Sequence, residues 1–433
     1  MEDTRTYFLF PVVLCLLTWV VDCYGLPLDN LNLRPVIGVL AQHPPDSMLV
    51  GLEDYNFTSY IAASYVKHLE SAGARVVPIF TYREDEYYDN LAQSLNGIVF
   101  PGGSVSLTNS SGYGAASRKL YDHVVAANER GVYLPIWGTC LGFQMLAYLA
   151  ADNTNWLGRC KANNRADPLT LQVGYEVSQV FQEMPEDVKT ILTMENVTAN
   201  FHHWCLTRQV GGHGSILSLY VKTILTMENV TVNFHHWCLT RQKFSTSGLS
   251  ELFNLLATSF DDDGLEFVSL MEHWTLPIFG SQFHPEKNPF EWANDDKHDA
   301  IPHTPNAILS AQYFANFFVN QARGNNQTFA SSGEESSLIY NYTPYYTGNT
   351  SGFLQSYLFR SDSTLMTNNN NSARTIPDQG ITNDIQMHPI NIGNNAGDTV
   401  VTNPGYYSYQ LLEGQRSVPP LLTSLQYVIP EID

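Results

Sequence analysis

The chain of 433 residues is 44% hydrophobic and 12% aromatic, which supplies a buried core and excludes a wholly disordered polymer. Its 42 acidic residues against 22 basic ones give a formal charge of −20, which opposes binding to nucleic acid or to an anionic membrane. An anionic substrate would have to be held by local groups.

Residues 7–21, YFLFPVVLCLLTWVV, form an apolar run behind Arg5, with the small residue Gly25 shortly after it. The pattern predicts a signal peptide over residues 1–25, cleaved near Gly25, because the run is short for a membrane span. No second long apolar run follows, so no membrane association is expected after cleavage. Asn-x-Ser/Thr sequons at Asn56, Asn109, Asn196, Asn229, Asn326, Asn341, Asn349 and Asn370 fit a glycoprotein of the secretory route. Cys15 and Cys23 fall in the leader, leaving Cys140, Cys160, Cys205 and Cys238, too few for a disulfide framework in so long a chain.

Past the leader, residues 36–41, 75–80, 97–101 and 133–137 are short apolar runs that read as buried parallel strands. Residues 60–72, about 84–94 and 115–130 show helical spacing, with Ile61, Tyr65, Leu69 and Ala72 on one face and Gly73 as a stop. Alternation of strand and helix predicts an α/β fold, a three-layer α/β/α domain around a mostly parallel sheet, over residues 26–360.

A near-perfect repeat interrupts this domain: residues 188–209, VKTILTMENVTANFHHWCLTRQ, return at 221–242 with only Ala199 replaced, by Val232. Two copies do not make a solenoid. The repeat reads as a recent tandem duplication or a misassembled gene, with 210–220 as junction. Residues 361–433 turn to Asn, Ser, Thr, Tyr and Pro and are expected to be a low-complexity, disordered tail.

The strongest chemical signal is Gly138-Thr139-Cys140-Leu141-Gly142-Phe143-Gln144, a buried strand running into Gly-x-Cys-x-Gly and then a helical pattern. Glycines around a nucleophile permit the sharp strand-to-helix turn that lifts its side chain above a sheet. A thiol at a helix N-terminus beside an imidazolium should ionise below its ordinary pKa of about 8.5. A base and an orienting acid are available in Gln282-Phe283-His284-Pro285-Glu286-Lys287, after the strand-like residues 276–279. His284 would face Cys140, and Glu286 would accept its other N–H. The third element is Pro101-Gly102-Gly103 at the end of the 97–101 strand, from which the Gly103 amide, with that of Leu141, would form an oxyanion hole.

Together these motifs resemble the class I glutamine amidotransferase-like superfamily. More closely, LNGIVFPGGSVSL, PIWGTCLGFQ, NFHHW, QFHPEKNPFEW and SLIYNYTPYYTGNTSGF are similar to the γ-glutamyl hydrolase (folylpolyglutamate hydrolase) family, over residues 34–360. The resemblance implies a secreted or lysosomal (vacuolar) omega peptidase, often a homodimer, that removes γ-linked glutamates from folate and antifolate poly-γ-glutamates without a cofactor. It implies a triad of Cys140, His284 and Glu286. Tyr60 and the first His of NFHHW, either His202 or His235, would lie near the substrate. Gln144 stands where some members carry Glu, which puts a substrate contact in question. No metal is expected, since the paired histidines lack Cys or carboxylate partners at ligand spacing. Two other readings stay open: a glutaminase domain that feeds ammonia to a synthetase, and a non-catalytic secreted binding protein on the same fold.

Overall fold

The computed structural model describes residues 31–202, 238–292, 298–330 and 333–360. All belong to the first of two units, Met1–Asn369, the second being Asn370–Asp433. The expected leader 1–25 and tail 361–433, with Cys205 and His235, lie outside the described residues.

The amino-terminal part runs β1 (Val36–Leu40), β2 (Phe57–Ala62), α1 (Ala63–Ser71), β3 (Arg75–Ile79), α2 (Asp85–Ala92), β4 (Gly97–Phe100), α3 (Gly112–Glu129), β5 (Ile136–Thr139) and α4 (Leu141–Ala150). The middle holds β6 (Ala162–Asp167), β7 (Thr170–Leu171), α5 (Glu186–Met194) and β8 (Thr198–His202). After the break come β9 (Phe253–Phe260), β10 (Glu266–His273), β11 (Ile278–Ser281), α6 (Pro305–Arg323), β12 (Pro344–Tyr346) and β13 (Gln355–Arg360).

One eight-stranded sheet in the order β3-β1-β4-β5-β11-β10-β9-β7 carries the domain. Its first five strands are parallel and the last three continue it antiparallel. Side chains alternate between the two faces, as the period of two requires. Ile37, Val39, Val99, Trp137 and Phe279 pack with Val66 and Leu69 of α1 and Phe314, Phe317 and Phe318 of α6. On the other face Val36, Leu40, Ile98, Phe100 and Ile136 pack with Leu120 and Val124 of α3 and Phe143 and Leu146 of α4. Both faces are covered by helices, so the strands are apolar throughout and the three-layer α/β/α architecture follows.

Three expectations shift. The run at 133–137 becomes a strand only from Ile136, because Pro135 has no N–H to give the ladder, and the strand continues to Thr139. Pro277 does the same to the run at 276–279, and Ile278–Ser281 pairs residue for residue with Ile136–Thr139. The expected helix over 60–72 begins only at Ala63, because Ser59–Ala62 pair antiparallel with Ser356–Phe359 of β13. The β9–β10 hairpin, turned by Asp261-Asp262-Asp263-Gly264, is an addition to the expected elements. Asp261 Oδ1 accepts the amides of Asp263 and Leu265, and Gly264 supplies φ 77°.

The repeat enters the fold as a composite. The first copy supplies α5 and β8, which pairs antiparallel with β6 through Asp167↔Thr198, Ala166↔Ala199, Arg165↔Asn200 and Ala162↔His202. The second copy supplies Cys238, bridged to Gly158, and Thr240, bridged to Phe267 and capping the short helix Arg241–Thr246. Cys238 is the equivalent of Cys205, so the pairing beside β6 passes from one copy to the other within one residue of register.

Candidate active site

Between β5 and α4 the backbone turns so tightly that Cys140 takes φ 52° and ψ −101°, a conformation that ordinary side chains avoid. The corner is held by the Cys140 N–H donating to Ser281 O at 2.8 Å and by the Gln144 N–H donating to Cys140 O at 3.0 Å. Gly142 allows the close approach, since a methyl group there would overlap the Phe100 carbonyl oxygen. Cys140 is fully buried, and Gln282 Nε2 donates to its Sγ at 3.4 Å.

From the end of β11 the chain carries His284 to the same place, anchored by its N–H donating to Ala199 O of β8 at 2.8 Å. His284 Nδ1 lies 2.5 Å from Glu286 Oε1, with both side chains almost completely buried. The Tyr65 hydroxyl is 3.3 Å from the same nitrogen and accepts the Gly102 N–H at 2.8 Å. Gly102 is the pivot of the constellation. A methyl group on it would stand 2.7 Å from His284 Cε1, 2.7 Å from the Tyr65 hydroxyl and 3.3 Å from Cys140 Cβ. The Pro-Gly-Gly turn therefore packs directly against His284, Tyr65 and the β-carbon of Cys140, and Gln42 Nε2 holds it by donating to Gly102 O at 2.7 Å.

Burial dominates the electrostatics. It pushes the Cys140 thiol well above its ordinary range, and Glu286 adds to the effect, while Lys287, the Leu141 amide and the Gln282 hydrogen bond oppose it. This corrects the expectation of a lowered thiol: the helix terminus helps the thiolate, but the enclosed site desolvates it more, and the same burial disfavours the charged form of His284, holding it below its ordinary 6.5. Burial also works to raise the Glu286 carboxyl, yet its charge interaction and hydrogen bond with His284 and the nearby Lys287 outweigh it and keep Glu286 ionised.

A cleft of about 910 Å³ opens beside them; His284 lines it, whereas Cys140 and Glu286 lie behind its wall. Tyr60, Gly103, Leu141, Gln144, His284 and Lys287 all line it, so the structure gathers Tyr60, Gln144 and both expected oxyanion residues around one cavity. Tyr60 does so from β2. Gln144 is buried and donates to Gln282 Oε1 at 3.2 Å. His202 is the last residue of β8; its backbone pairs with Ala162.

Tyr65, Gln42 and Lys287 are features that motif reading assigns no role. Lys287 is buried, with Nζ 4.3 Å from the centre of the Phe353 ring and 3.5 Å from Gly352 O. Among the described residues lining the cleft it is the only Lys or Arg. The available signal was its place directly after His-Pro-Glu. Burial lowers its pKa, against the pull of Glu291 and Glu286.

The peptidase C26 family model matches residues 35–286. Gamma-glutamyl hydrolase of Homo sapiens is 40% identical over 332 residues, 75% of this chain and 90% of its own. The Bos taurus protein of the same name is 39% identical over 327 residues, with 75% and 90% covered, and gamma-glutamyl hydrolase B of Dictyostelium discoideum 34% over 337, with 77% and 85%. A solved glutamine amido transferase from Methylobacillus flagellatus aligns with 69% of this chain and 98% of its own, at 10% identity and a TM-score of 0.34. With a family model spanning more than half the chain and relatives matched over most of their length, the chain belongs to the peptidase C26 family of γ-glutamyl hydrolases and is a hydrolase.

Proposed function

We propose that the protein hydrolyses the γ-glutamyl amide bonds of folate-type poly-γ-glutamates, with Cys140 as nucleophile, His284 as base and Glu286 as the residue that orients His284. The observation that carries the reading is the strained Cys140 corner meeting His284 across Gly102, with His284 Nδ1 held by Glu286. With its Nδ1 proton committed to Glu286, His284 takes the Cys140 proton at Nε2 as the thiolate attacks the amide carbonyl. The Gly103 and Leu141 amides receive the developing oxyanion. The proton on Nε2 then passes to the leaving amine, and a γ-glutamyl thioester remains. Water, deprotonated by His284, attacks the thioester and expels the Cys140 sulfur, which recovers a proton. The reading needs no cofactor.

The substrate side is supported by charge. In a chain of net −20, Lys287 at the cleft wall is suited to a glutamate carboxylate beside the scissile bond. Tyr60, Gln144 and His202 are assigned to the same substrate; His202 is preferred to His235 because β8 of the first copy is joined to the His284 amide. We assign the protein to the secretory route, as a lysosomal or secreted glycoprotein. Asn56, Asn109, Asn326, Asn341 and Asn349 are exposed, as such a modification needs.

Release of free glutamate from a γ-linked diglutamate, with an α-linked diglutamate as control, tests the reading. Activity on the γ-linked compound that is lost on thiol alkylation is expected. Equal cleavage of both compounds, or none of either, would remove the γ-glutamyl assignment.

A further inference from the structure

Cys160 and Cys238 stand apart from the cleft, yet they meet each other. Gly158 and Cys238 exchange both backbone hydrogen bonds, each 3.1 Å, as a hydrogen-bonded antiparallel pair does. Cys160, two residues after Gly158, lies along the same edge, and the two thiol groups are within hydrogen-bonding reach of each other. Both are almost completely buried, in a small cluster with Ala162 and Phe267. Pairing of Gly158 with Cys238 brings the Cys238 side chain beside Cys160, and Ala162, Phe267 and the partly buried Leu265 pack around the two.

We propose that Cys160 and Cys238 are joined by a disulfide in the mature protein, and that this bond fixes the second copy of the repeat, through Cys238 and not Cys205, beside β6. The step needs an oxidant, and a small-molecule disulfide such as oxidised glutathione supplies it. One cysteine thiolate attacks a sulfur of that molecule and expels one thiolate. The second cysteine thiolate attacks the mixed disulfide at the protein sulfur and expels the other. One Cys–Cys bond forms, the small-molecule S–S bond is reduced, and the two cysteine protons end on the two released thiols. The leader-like start and the sequons fit a compartment where such an oxidant is present. Burial pushes the Cys160 thiol up, so the exchange belongs to folding, before the cluster closes, and the finished bond resists reductant.

The bond gives the duplication a physical setting. Everything between Cys160 and Cys238, including residues 203–237, lies within one covalently closed ring, so the two ends of the composite repeat stay registered whatever the intervening chain does. Closing so long a ring removes much of the entropy of the unfolded chain.

Peptide mapping of the full chain, purified from a eukaryotic secretion host, tests this. The protein is denatured with an alkylating agent and no reductant, deglycosylated and cut with trypsin. The two candidate partners are distinguishable by mass, because the peptide ending at Arg208 carries Ala199 and the peptide ending at Arg241 carries Val232. The expected product is the Cys160 dipeptide linked to the Val232 peptide. Cys160 linked to the Ala199 peptide, or alkylated together with Cys238, would overturn the proposal. A Cys160→Ala, Cys238→Ala double variant should keep its turnover while Tm falls by about 5–15 °C. An unchanged Tm would count equally against the bond.

Discussion

Gly102→Ala tests the site through its geometry. The added methyl would stand 2.7 Å from His284 Cε1 and from the Tyr65 hydroxyl, and 3.3 Å from Cys140 Cβ. Ordinary carbon contacts need about 3.5–4.0 Å, so His284 or the turn must move by roughly 1 Å. Tyr65 and His284 are both buried, and Glu286 holds His284 from behind, so the movement is shared among groups that the chemistry needs aligned. A misplacement of about 1 Å costs around 10²-fold in rate, while overpacking one methyl costs about 1–3 kcal/mol of stability. The variant should therefore fold, lose a few degrees of Tm, and lose about two orders of magnitude in kcat/KM for a γ-linked diglutamate. Gly333→Ala, where a methyl meets nothing within 4 Å, is the control and should behave as wild type. Wild-type turnover by Gly102→Ala would mean that Cys140 and His284 do not work across this turn.

Cys140→Ala should abolish hydrolysis and retain the fold; turnover above a few per cent of wild type would point to another nucleophile. His284→Asn should lose roughly 10²–10⁴-fold and Glu286→Gln less, since a Gln oxygen can still accept the Nδ1 proton; the reverse order in a kcat series would refute the roles. Lys287→Met should raise KM for a poly-γ-glutamate by about 10–100-fold with a smaller change in kcat, and an unchanged KM would remove Lys287 from the substrate. His284 and Glu286 both titrate below their ordinary values, so the unfolded chain takes up protons first. Their stability contributions are whole above pH 6.5 and 4.5 respectively and decline as pH falls through the lower folded values. The acid limb of kcat/KM should accordingly fall below pH 6.5, and Glu286→Gln, which removes the charge that raises His284, should move it lower still.

Local signals were sufficient where the chemistry is local. The runs that became β1, β3 and β4 announced themselves by unbroken apolar character, and the Cys140 corner by its flanking glycines. What local pattern does not show is a setting that depends on distant partners. Tyr60 sits in a helical pattern and becomes strand only because Leu358 pairs with it. Tyr65 reads as one more apolar position on a helix face, and its bond to Gly102 exists only once β4 and α1 have packed on β1. The lowered thiol was a sound inference from a helix terminus that failed because sequence does not report how completely a site is desolvated. Cys160 and Cys238 come together only through the pairing of Gly158 with the second copy of the repeat.

The repeat yields the last prediction. Removing residues 210–242 and removing 205–237 give the same amino-acid sequence, because each excises one period of 33 residues and keeps Ala199. Among the described residues the segment contributes one copy's worth, 188–202 from the first copy and 238–242 from the second, with His202 pairing with β6 and Cys238 bridged to Gly158 just before it. The shortened protein should match the full chain in activity and have at least its Tm, since shortening a connection lowers the entropy lost on closing it. Removing 188–220 is different, because it puts Val232 where Ala199 now stands. Ala199 is completely buried against Ala300 and Ile301, and its carbonyl holds the His284 amide. Two extra methyl groups there should cost about 1–3 kcal/mol, a Tm lower by several degrees than that of the Ala199 deletion, and part of the activity, because the strain falls on the anchor of His284. Melting curves and γ-diglutamate hydrolysis on the two deletions decide it. Equal Tm and activity would mean that the site does not read which copy fills β8, and loss of activity in the Ala199 deletion would mean that residues of the second copy act in the site.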